Sequence, residues 1–145
     1  MHRSGFIALI LLIVPAGAGA ETITAVCKNP AGRAIGIDSS RAAVNEPDGM
    51  LGGQISIKWT MGEKTAQIVS EGPGISTPVP EVAITVHFSD DQASFVVVNP
   101  STVWLYSLFV RTRHLIITRH TNGFADLKGG AIGSVLHAAC DIRAK

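Results

Sequence analysis

An all-β fold is predicted for this chain: one small antiparallel β-barrel or β-sandwich of about 8–10 strands, mostly a meander. Three observations carry that prediction. Apolar and polar residues alternate with period 2 in several runs, turn signals separate those runs, and helical spacing is hard to find. Two cysteines, Cys27 and Cys140, lie far apart and are expected to close the fold as a disulfide.

The 145-residue chain begins MHRSGFIALILLIVPAGAGAETITAVC. Arg3 gives a positive start, Phe6 to Val14 is apolar throughout, and Ala18-Gly-Ala20 supplies the small residues that a signal peptidase accepts. Residues 1–20 therefore read as a signal peptide cleaved after Ala20, and 21–145 as a single all-β domain. The apolar run is shorter than the ~20 residues that cross a bilayer, and no membrane span is expected after cleavage. The location that follows is periplasmic or secreted. There, two lone cysteines pair, and a loop of this length adds about 4–5 kcal/mol on the chain-entropy model.

Strands are expected in order at Thr22–Lys28, Ala34–Asp38 and Gln54–Thr60. The last reads QISIKWT, with Ile55, Ile57 and Trp59 on one face. MGEK, Met61 to Lys64, is a turn before a strand at Ala66–Ser70. Gly72 to Pro80, GPGISTPVP, is a long loop, because the two halves it would separate are too small to fold alone. Glu81–Phe88 reads EVAITVHF. Its pattern predicts Val82, Ile84, Val86 and Phe88 as the buried face, opposite Glu81, Ala83, Thr85 and His87. Ser89 to Gln92 then turns the chain into Ala93–Asn99, and Asn99-Pro100 starts the next turn.

Val103 to His120, VWLYSLFVRTRHLIITRH, is the densest apolar stretch after the leader. Arg111, Arg113 and His114 interrupt it too early for a membrane helix. A strand from Val103 to Val110, apolar on both faces, fits one covered on both sides. Arg111-Thr-Arg113 is then a turn, and His114 to His120 returns. Asn122-Gly123 is a hairpin signal leading to the last strand.

Charge and motifs exclude more than they assign. Removing the leader takes one of the 12 basic residues and none of the 11 acidic, so the exported chain is balanced at 11 each. A nucleic-acid binder needs a clustered positive footprint, so none is expected as a partner. Beyond the leader the histidines are His87, His114, His120 and His137, with no HxH or HExxH spacing, and neither metal nor other cofactor is expected. GAIGS at Gly130 to Ser134 lacks the final glycine of a nucleophile elbow, and strand geometry sends Ser134 and His137 to opposite faces. A hydrolase would need Asp126, His137 and a serine in one cleft, and no catalytic residue is assigned. Asp90 and Asp91 sit in a turn, where aspartate serves the backbone.

Arg111, Arg113, His114, Arg119 and His120, joined by Lys128, form a basic rim in this reading. It would dock an acidic protein surface or a small anionic ligand. WTMGEKTAQI, Trp59 to Ile68, resembles the W-x-K-G-x-x-A-x-L run of the small periplasmic inhibitors of c-type lysozyme, which are export-targeted β-barrels with a disulfide. The likeness spans ten residues, Met61 stands at the lysine position, and no functional residue is carried over. The function expected is therefore a non-catalytic binding or accessory module, protein-binding or inhibitor-like. The alternative is a barrel that carries a small ligand inside.

Overall fold

The computed structural model describes residues 20–37, 42–73, 75–122 and 131–145. Residues 1–19 of the expected leader, the Asn122-Gly123 turn beyond Asn122, Asp126 and Lys128 lie outside them.

Nine strands are present among the described residues: β1 (Thr22–Ile37), β2 (Ala43–Gly49), β3 (Gln54–Thr60), β4 (Thr65–Glu71), β5 (Glu81–Phe88), β6 (Gln92–Asn99), β7 (Thr102–Phe109), β8 (His114–Asn122) and β9 (Ala131–Ala144). Every neighbour is antiparallel, and β1 pairs with both β3 and β9. That second pairing closes eight strands into a barrel, with β2 added on the outside of the ring order. A sandwich is excluded. The segments expected at Thr22–Lys28 and Ala34–Asp38 merge into one continuous strand as far as Ile37, and Asp38 lies outside the described residues.

A kink in β1 explains that merger. Its register against β9 shifts between Lys28 and Ala31, where Asn29 takes a left-handed φ of 49°. Asparagine tolerates that conformation better than most residues, and Pro30 needs no ladder partner for its missing N–H. The first half of β1 pairs with β3 and the second half with β2. The chain crosses from β2 to β3 beside the bulge, through Asn29 N–H to Gly53 O (2.8 Å) and Met50 N–H to Pro30 O (2.7 Å). Gly32 follows the bulge, and a Cβ there would collide with the backbone of Val135, so only glycine lets β1 and β9 approach so closely.

An eight-stranded barrel is just wide enough for side chains to fill. Trp59, Phe95, Tyr106, Ile57, Ile68, Leu108, Leu115 and Ile117 occupy the lumen, interleaved with Ala25, Ala66, Ala83 and Ala93, all buried. Alternation of large and small residues fits the narrow bore. Trp59 meets Phe95 edge-on at 5.7 Å between centroids, and its indole N–H donates to Glu63 O at 3.1 Å. Cys27 and Cys140 face each other across β1 and β9 and are bonded, with no free cysteine in the chain.

Two strands depart from the expected faces. In β5, Ala83 is buried and paired with buried Ala66, whereas Val82, Ile84 and Val86 point outward. A bulge between Thr85 and His87 then turns Phe88 back over the end of the lumen, where its ring lies 5.7 Å from Trp59. The expected buried face is thus mostly the outer one. Strand β7 buries Tyr106 and Leu108, but among the described residues nothing covers its outer face: Val103 is exposed and Leu105 and Phe109 are half-buried.

Candidate binding surfaces

The expected basic rim divides between the two ends of β8. At one end, the Val110–Arg113 turn closes with Arg113 in a left-handed φ of 57°. Arg111 pairs with Asp91 at 2.8 Å, and Arg113 donates to Ile142 O at 3.1 Å and lies 3.7 Å from Asp141. His114 Nδ1 is 2.7 Å from Thr112 O. Both arginines thus meet carboxylates of the same chain on an exposed surface, where such pairs add little stability. Arg119 and His120 sit at the opposite end. His120 points outward; Arg119 points into the barrel.

Strand parity decides Arg119. Leu115, Ile117 and Thr121 are buried inner-face residues of β8, and position 119 shares their face. Its guanidinium stacks over Trp104, 5.2 Å from the ring centroid. Nη2 donates to Asp48 Oδ2 at 2.6 Å and to Ser134 Oγ at 3.0 Å. Asp48 comes from β2, so the added strand reaches the lumen through this pair. The Nε of Arg119 and Oγ1 of Thr121 are buried without a partner. Below them, Tyr106 is held protonated well above the ordinary phenol range. Burial is the main cause and Glu81 adds repulsion, with partial offset from a Ser70 hydrogen bond.

Two clefts open at this mouth. One, of about 180 Å³, is lined by Glu46, Asp48, Arg119, Thr121 and Ile132 with their neighbours. The other, of about 630 Å³, is lined by Val98 to Val103, His120, Thr121 and Ala131 to Gly133. Thr121 and Ile132 line both.

The outer wall is the third surface. Val82 (68 % exposed), Ile84 and Val86 on β5, Val98 (67 %) on β6 and Val103 on β7 stand on it, with Val96 and Leu105 half-buried between them. Ile84 faces Val96, Val96 faces Leu105, and Val98 faces Val103 across the ladders, so the patch is continuous over three strands. Gln67, Thr65 and Thr118 border it.

The other chemistry weighed from the sequence does not assemble. His87, His114, His120 and His137 are all exposed on the outer face, and among the described residues no three His, Cys, Asp or Glu side chains gather as a metal site. Ser134 is buried inward while His137 is exposed outward, so they do not meet. Sequence reasoning missed the wall and the mouth. The signal for the wall was present in VWLYSLFV, whose two apolar faces leave one face outside whenever the barrel is a single layer.

Comparison with known proteins adds no assignment. No family model matches the chain, and neither a curated protein nor a solved structure does.

Proposed function

We propose that this protein is an exported, non-catalytic binding module that docks a protein partner on the apolar wall of β5, β6 and β7. The observation that carries the reading is the pairing of a filled lumen with large exposed aliphatic side chains outside it. Monomeric soluble proteins rarely leave broad contiguous apolar patches without use, and a patch with a polar border suits a protein partner. A ligand carrier is less well supported, because ring and branched side chains occupy the bore where a passenger would sit. The hairpin rim is a weaker docking surface, since Arg111 and Arg113 are matched by Asp91 and Asp141. Export rests on the leader, and the Cys27–Cys140 bond accords with an oxidising compartment.

The test is a triple variant, Val82→Thr, Ile84→Thr and Val103→Thr, which keeps β-branched shape and removes apolar surface. Folding should persist, while capture of the partner from the native compartment should fall by at least tenfold. An Arg111→Ala, Arg113→Ala double variant should capture it normally. The same partner held equally by the wall variant would remove the wall from consideration.

A further inference from the structure

We propose that the barrel mouth bearing Arg119 binds one neutral sugar unit of a glycan, held by Arg119 Nε, Thr121 Oγ1 and Glu46. None of these groups belongs to the wall, so this inference stands apart from the docking reading.

Thr121 is only 6 % exposed, yet its hydroxyl has no partner, and the same holds for the buried Nε of Arg119. Buried polar atoms are nearly always hydrogen-bonded, so two orphans at alternate positions on one strand face point to an oxygen supplied from outside. Both residues line the cleft of about 180 Å³. Glu46 lines it too, and among the described residues it makes no ion pair or hydrogen bond. The cleft therefore offers one donor, one hydroxyl and one free carboxylate.

Charge selects among ligands. Arg119 and Asp48 already neutralise each other at 2.6 Å, which leaves the negative charge of Glu46. An anion would be repelled by Glu46, and a cation would leave Arg119 Nε unsatisfied. Hydroxyl groups fit both demands, since they accept from Nε and donate to the carboxylate. Size narrows the class further: at roughly 30 Å³ per water the cleft equals about six waters, the bulk of a sugar ring rather than a single amide. The larger cleft joins at Thr121 and Ile132 and brings the hydroxyls of Ser101 and Thr102, which gives a neighbouring unit a place.

The disulfide-bonded protein is titrated with maltotriose, cellotriose and chitotriose, and separately with acetate and phosphate. Proton–nitrogen NMR reads the Arg119 Nε–H and the Thr121 amide. At least one trisaccharide should shift both signals saturably, with a dissociation constant of about 1 mM. Thr121→Val and Glu46→Gln, each retaining a folded spectrum, should each weaken binding about fivefold to tenfold. Absence of a shift with all three sugars at tens of millimolar overturns the proposal. So does saturation by acetate or phosphate alone, or native affinity in either variant.

Discussion

Tyr106 is the one tyrosine of the chain, so its ionisation can be followed by ultraviolet absorbance without interference. Burial and the charge of Glu81 hold it protonated far above the ordinary value near 10. The unfolded chain loses that proton first, so stability contributed by the neutral phenol is full below about pH 10 and declines as pH rises above it. The expected result is no tyrosinate absorbance in the folded protein near pH 10–11, followed by ionisation together with unfolding. A smooth titration near pH 10 with the fold intact would place the phenol in water. Arg119 shows what sequence could tell at this scale and what it could not. The alternation Leu115, Ile117, Arg119, Thr121 assigns it to the inner face, but charge alone grouped it with Arg111 and Arg113 at a rim. Parity is local and legible; the partner Asp48, 71 residues away, is not.

Strand β3 was fully legible because its apolar face is the buried one. Strand β5 was not, for a physical reason: the hydrophobic pattern ranks faces by total apolarity, whereas a narrow bore ranks them by volume. Ala83 is fully buried beside Ala66 in the filled lumen, where a larger side chain such as isoleucine would crowd its neighbours. Replacing Ala83 with leucine should therefore cost about 1–3 kcal/mol by overpacking. Val82→Thr on the adjacent outward position should stay within about 0.5 kcal/mol. Urea unfolding of both variants checks the pair, and equal losses would mean that the two faces had been exchanged. The expected meander, its turns at Met61 to Lys64 and Ser89 to Gln92, and the loop before β5 all follow from local signals. Strand β2 was missed because AVNEPDG has neither alternation nor β-branched density; its neighbour β1 imposes extension on it.

Closure of the whole molecule depends on β1 meeting β9, the contact of greatest sequence separation, and Cys27–Cys140 fixes it across 113 residues. The pairing was legible from the expected compartment and the number of cysteines; the choice of barrel over sandwich was not, because it depends on which strands meet after the chain has turned through every other element. A Cys27→Ser, Cys140→Ser variant should unfold at lower urea with a loss of about 3–5 kcal/mol. A loss below about 1 kcal/mol would mean that the ladder alone holds the ring. By giving the second half of β1 a partner that stands outside the ring, the bulge at Asn29 leaves β2 with a free flank, where, among the described residues, the ladder is open to another extended chain. Pro47 has no N–H to add to the row of donors there, and the exposed carboxylate of Glu46 stands beside it, so the loose stave is sealed against its own kind.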